Sequence, residues 1–239
     1  MIGNLKALLL AAMALALFGV LGVSSAHGAE KERFHCEVKI GSCKYTALPD
    51  EVANTKTAHH VLTIDNYVVP FESVSFTCGQ MSGEATLGKE AFAVVMKNIK
   101  YSECKVNGSE GVTFKMNGCS YGFLAVGPLG ATGVPNGEMW IEGCEAGKKI
   151  EIVYTTGCVA TIGEQGPLKG ITFHNHKGIK ELITVETNAK GIAASFDGTK
   201  AQCLITPTGI IEATYTTGNT LLTGEEDWLG GVMVNAWYE

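Results

Sequence analysis

VYTTGCVATIG occupies residues 153–163, and TYTTGNTLLTG at 214–224 repeats it with Asn219 in the place of Cys158. Threonine, tyrosine, valine and isoleucine crowd around a Thr-Gly pair, a composition that favours strands on either side of a turn. The phrase therefore predicts β structure, and its recurrence predicts a strand-turn-strand unit used twice.

Working outward, almost every segment after residue 33 alternates with period two, as strands with one buried face do. Val74, Phe76 and Cys78 share a face, as do Val112, Phe114 and Met116, then Ile150, Ile152 and Tyr154, and finally Ile211, Ala213 and Tyr215. No stretch of helical length has a clean 3.6-residue period, and at most a helical turn is expected within residues 50–57. Gly and Asn-Gly pairs at 107–108, 117–118, 136–137 and 218–219 are expected to supply turns.

The repeat extends beyond the opening phrase. Cys43 starts a stretch running through His59 and His60, residues 73–77, Cys104 and Cys119. Cys158 starts a second, through His174, residues 183–187, Cys203 and Asn219. His59 and His174 each follow their opening cysteine by 16 residues. These matches predict an all-β, antiparallel, sandwich-like protein of two divergent tandem units, stapled by disulfides. The expected divisions are a signal peptide at 1–28, a first unit at 29–127, a connecting hairpin loop at 128–138 and a second unit at 139–239.

Export follows from the first residues. Lys6 precedes an apolar run from Ala7 to Val23, and small residues lead to Ala26-His27-Gly28, the pattern of a cleaved secretory signal. The apolar run is short for a membrane span, which needs about 20 residues. The expected location is secreted, extracellular or cell envelope, with no membrane span after cleavage. Formal net charge is −6 for the whole chain, and no Lys/Arg cluster stands in the sequence, so nucleic acid is not an expected partner.

All eight cysteines, Cys36, Cys43, Cys78, Cys104, Cys119, Cys144, Cys158 and Cys203, follow the signal segment. In an exported chain an even number reads as disulfides, and neither C-x-x-C nor a zinc spacing occurs. Cys119 and Cys144 flank two strands joined through a Gly/Pro-rich loop, so an antiparallel hairpin would set them side by side. Cys36 with Cys43, Cys78 with Cys104 and Cys158 with Cys203 complete the preferred solution. The rival links Cys43 to Cys104 and Cys36 to Cys78.

Five signatures, Phe76-Thr77-Cys78 with Ser82-Gly83, Tyr101-Ser102-Glu103-Cys104, Asn117 to Phe123, Cys144 to Lys149 and Gly157 to Gly163, together resemble a bacterial family. It is a group of exported, cysteine-containing β proteins of high-GC soil bacteria to which no activity is assigned. The resemblance covers residues 73–239 and implies export and an all-β fold. It also implies that the last six cysteines are shared while Cys36 and Cys43 form a self-contained pair.

Chemistry-bearing constellations are sparse. His174-Asn175-His176 would place two imidazoles on one strand face, and His59-His60 occupies the matching position in the other copy. A metal site would need a third converging ligand that no spacing announces, so no metal or other cofactor is expected. No Gly-x-Ser-x-Gly elbow, Ser-x-x-Lys or His-Glu-x-x-His is present, and no catalytic residue is assigned. Trp140 stands on the face opposite Met139 and Ile141; with Trp228 and Trp237 it reads first as an aromatic of the β core or between sheets, and as the alternative these would offer a carbohydrate-stacking surface. Glu225-Glu226-Asp227 before Trp228 reads first as a solvated turn.

The candidate binding residues are thus His59, His174, His176, Trp140 and Trp228. The expected function is a non-catalytic binding or structural module facing a cell-wall polymer, a polysaccharide or another envelope protein. The competing expectation is a secreted hydrolase with a site around His59 and His174.

Overall fold

The computed structural model describes residues 34–36, 43–48, 60–65, 73–87, 90–126, 136–154, 157–175, 182–196, 210–226, 232–233 and 236–238. The expected signal segment at 1–28, the helical turn at 50–57, His59, His176, Cys203 and Trp228 lie outside these residues.

In chain order the strands begin with β1 (Phe34–Cys36), β2 (Cys43–Leu48), β3 (His60–Asp65), β4 (Ser73–Leu87), β5 (Glu90–Ala91) and β6 (Ala93–Val106). Next come β7 (Ser109–Glu110), β8 (Val112–Lys115), β9 (Ser120–Ala125), β10 (Asn136–Glu142), β11 (Ile150–Tyr154) and β12 (Val159–Ile162). The chain ends with β13 (Gln165–Asn175), β14 (Leu182–Phe196), β15 (Ile210–Glu226), β16 (Val232–Met233) and β17 (Ala236–Tyr238). Among the described residues there is no helix.

These strands form a closed antiparallel barrel of eight positions. Seven follow the order β4-β6-β9-β10-β13-β14-β15. The eighth is shared end to end: β3 pairs with Ser73–Cys78 of β4 and with the first half of β15, while β2 pairs with the last part of both. The expected sandwich is thereby corrected to a barrel. The physical reason is that β4 and β15, which would be sheet edges, both hydrogen-bond to β2 and β3, so the twisted sheet meets itself and loses its open edge.

Bulges let the long strands bend. In β6 the inward residues are Val94 and Met96, then Ile99 and Tyr101, then Cys104 and Val106. Each change of parity coincides with a residue in the left-handed region, Asn98 at φ 52° and Glu103 at φ 56°; the register against β4 shifts at Asn98 and is kept across Glu103. The period-two alternation is thus right within each segment and reset between segments.

At the end of β14, Ala194–Phe196 pairs with β12, which continues through β11 to β8. This leaf folds back over β4 and β6: the Phe76 ring meets Tyr154 at 5.3 Å and Phe114 at 6.3 Å, both edge-on. β1, between β17 and β5, sets the buried Phe34 against Phe173 with centroids 5.0 Å apart. Phe76, Phe173, Ile152, Ile171, Ile183 and Ile192 are fully buried, so among the described residues side chains pack the interior.

The pairing order recurs along the chain. β2 flanks the last half of β4, β3 the first half, and β4 then pairs with β6; β12, β13, β14 and β15 repeat that arrangement. Yet β9 pairs with β10 and β15 with β2 and β3, so the hydrogen bonding is continuous across the expected boundary between the units.

The repeated phrase itself takes two forms. In its first copy Gly157 donates its amide to the Tyr154 carbonyl and the chain reverses between β11 and β12. In its second, residues 214–224 remain inside β15. The expected turn at 218–219 is corrected to a bulge, because the pairings of Val185 with Thr220 and Thr187 with Thr217 leave one extra residue in β15. The expected turn at 136–137 is likewise strand, the start of β10. There the Phe173 ring packs where a Gly137 side chain would stand. The other two Asn-Gly pairs do turn the chain, with all four residues at positive φ.

Cys78–Cys104 bridges directly opposed residues of β4 and β6, and Cys119–Cys144 closes the β9-β10 hairpin as expected. The first bond removes the rival solution. Cys158 is also disulfide-bonded. Its partner is one of Cys36, Cys43 and Cys203, whose side chains lie outside the description. Such bonds fit an oxidising extracellular or envelope location.

Candidate functional site

The barrel interior holds one extended polar chain. β3 contributes His60, β15 Tyr215, β6 Tyr101 and β9 Tyr121, all inward at their positions in the period-two pattern. His60 Nδ1 lies 2.7 Å from Tyr215 Oη, Tyr215 Oη 3.1 Å from Tyr101 Oη, and Tyr101 Oη 2.9 Å from Tyr121 Oη. One direction uses every hydroxyl proton: Tyr121 donates to Tyr101, Tyr101 to Tyr215, and Tyr215 to a His60 nitrogen that accepts. Ring packing holds the line in place, with His60 stacked on Tyr215 at 6.2 Å and edge-on to Tyr101 at 5.6 Å.

Burial pushes the phenols of Tyr101, Tyr121 and Tyr215 well above the usual tyrosine value, and neighbouring phenols reinforce this. Tyr154, whose buried hydroxyl has no hydrogen-bond partner among the described residues, is raised by desolvation. Beside the chain remains a cavity of about 30 Å³, walled otherwise by Leu62, Phe114, Met139 and isoleucines. That is the room of a water molecule or two, too little for an organic ligand.

Larger spaces lie outside. A groove of about 460 Å³ runs beside the loop from Cys144 to Lys149 and the strand ends at Thr161 and Ser195. Gln165 braces it by bonding both the amide and the carbonyl of Ala193, and the Thr161 and Ser195 hydroxyls lie 2.7 Å apart. A second groove of about 620 Å³ follows the Asn98 bulge, between Ser82–Glu84, Lys97–Lys100 and the segment at Met116–Ser120.

Of the expected site residues, His174 lies on the outer face of β13 with Nε2 3.3 Å from Glu186 Oε2, an exposed pair. It shares no site with His60, which is buried in the barrel. Trp140 is half-buried on the outer face of β10, its indole lying where a Gly166 side chain would stand, and it lines neither groove. Trp237 pairs through its backbone with His35. Among the described residues, no three His, Cys, Asp or Glu side chains are grouped to hold a metal ion.

The tyrosine chain was not anticipated. Its signal was available in part, because Tyr215 shares an inward face with Ala213, and a hydroxyl on a buried face needs a partner. What the pattern could not supply was which strands face one another across the barrel. No protein-family model, curated protein sequence or solved structure matches this chain.

Proposed function

We propose that the protein is an exported, non-catalytic binding module of the envelope or extracellular space that engages its ligand on the outer surface of the barrel. One observation carries this reading: the described side chains leave a cavity of about 30 Å³ inside the barrel, while larger spaces among the described residues are open grooves. A barrel that carries a small ligand inside needs several hundred Å³ of interior. The recurring order of pairings around β4 and β14 supports a duplicated origin for the two halves, intertwined in one barrel.

A second reading, a secreted hydrolase, draws on the contact between His174 and Glu186, in which a carboxylate orients an exposed imidazole. One experiment separates the two. The full chain, exported and with its disulfides formed, is incubated with purified cell-wall polymers and polysaccharides, and both retention and soluble products are measured. Retention without fragments is the expected result. Release of fragments that disappears in His174→Ala would establish the hydrolase, and absence of retention on every polymer would overturn the binding module.

A further inference from the structure

The two outer grooves are neighbours. Cys144 walls the first, Cys119 walls the second, and a disulfide joins these two residues. The segment between is rigidly stitched: the Glu145 amide donates to the Asn117 carbonyl at 3.0 Å, and Asn117 Nδ2 donates to the Lys149 carbonyl at 2.8 Å. The grooves therefore form adjoining parts of one preorganised surface.

Charge on this surface runs against that of the chain. Among the described residues the charged lining groups are Lys97, Lys100, Lys148 and Lys149 against Glu84, Glu145 and Glu164, four positive and three negative, for a charge of +1. The whole chain carries −6. None of the four lysines has an ion-pair partner among the described residues. Two of the carboxylates are already engaged, Glu84 by the Asn98 side-chain amide and Glu164 by the Cys144 amide at 2.8 Å. The Lys149 stem lies over bare Gly163 at ordinary contact distance, which supports its ammonium group at the groove.

We infer that the paired grooves on either side of the Cys119–Cys144 disulfide bind an acidic polysaccharide, with the lysine pairs Lys97/Lys100 and Lys148/Lys149 meeting its carboxylates. The inference rests on the binding-module reading above and specifies its ligand. Ser82 supplies an exposed hydroxyl, and the bonded pair Thr161–Ser195 keeps acceptor capacity for a sugar hydroxyl. Among the described residues no aromatic ring lines either groove, so they provide no stacking platform of the kind a neutral sugar ring or a nucleobase would use.

The test is binding of the oxidised full chain to polygalacturonate, with dextran as neutral polymer and a short DNA duplex as phosphate polymer. Binding to polygalacturonate is expected, and it should weaken as salt is raised. Lys97→Gln/Lys100→Gln and Lys148→Gln/Lys149→Gln should each lower affinity about fivefold, as two exposed charge contacts would. Lys169→Gln/Lys190→Gln, exposed outside the grooves, should change nothing. Retention on dextran with no effect of the lysine pairs would overturn the inference and leave the binding module standing. Tighter binding to DNA, or equal loss in the control variant, would also overturn it. If no polymer is retained, the binding-module reading falls and the inference with it.

Discussion

The hydroxyls of Tyr101 and Tyr215, 114 residues apart in sequence, lie 3.1 Å from each other inside the barrel. Tyr101 is the middle of the buried line, bonded also to Tyr121. Tyr101→Phe keeps the ring and removes two hydrogen bonds, leaving the Tyr121 proton without its acceptor. A loss of about 1–3 kcal/mol is expected in urea unfolding. A variant as stable as the parent would show that the line contributes nothing to the fold.

The raised phenols give a pH dependence with a definite sign. A tyrosine whose folded value lies above its unfolded value of about 10 favours the folded state fully below pH 10. As pH rises from there toward the folded values, each such tyrosine removes stability at about 1.4 kcal/mol per pH unit. Tyrosinate absorbance should therefore show Tyr101, Tyr121 and Tyr215 ionising together with loss of structure. Smooth ionisation of every tyrosine near pH 10 in a folded protein would contradict this burial.

Cys119–Cys144 closes a segment with sequence separation 25. In the loop-entropy account its removal costs about 3.5 kcal/mol. Cys119→Ser/Cys144→Ser should lose stability of that order in denaturant and should also weaken any ligand held by the flanking grooves.

The remaining cysteines are open to direct mapping. Peptides from the unreduced protein should join Cys78 to Cys104 and Cys119 to Cys144. By the preferred pairing they should also join Cys158 to Cys203, and Cys36 to Cys43 across one tight turn. A Cys43–Cys158 peptide would refute the pairing within repeats.

Glycines at two strand positions should respond differently. A methyl group at Gly137 would collide with the fully buried Phe173 ring, and Gly137→Ala is expected to cost about 1–3 kcal/mol. At Gly163 the same group would meet only the Lys149 stem at 3.8 Å, so Gly163→Ala should fall within about 0.5 kcal/mol of the parent.

Local alternation determined much of this protein directly. It placed Val74, Phe76 and Cys78 on a buried face, set the turns at Asn107-Gly108 and Asn117-Gly118, and paired Cys119 with Cys144, because side-chain parity and short hairpins depend on neighbouring residues alone. The repeated phrase shows where that information stops. Residues 153–163 reverse, whereas the near copy at 214–224 stays in one strand through its bulge, because β14 on one side and β2 and β3 on the other supply partners that hold β15 extended. Closure of the barrel, the line from His60 to Tyr121 and the adjoining of the Lys97/Lys100 groove to the Lys148/Lys149 groove are likewise set by which strands pair. Those pairings join residues dozens to more than a hundred positions apart, and a pattern with a period of two holds no record of them.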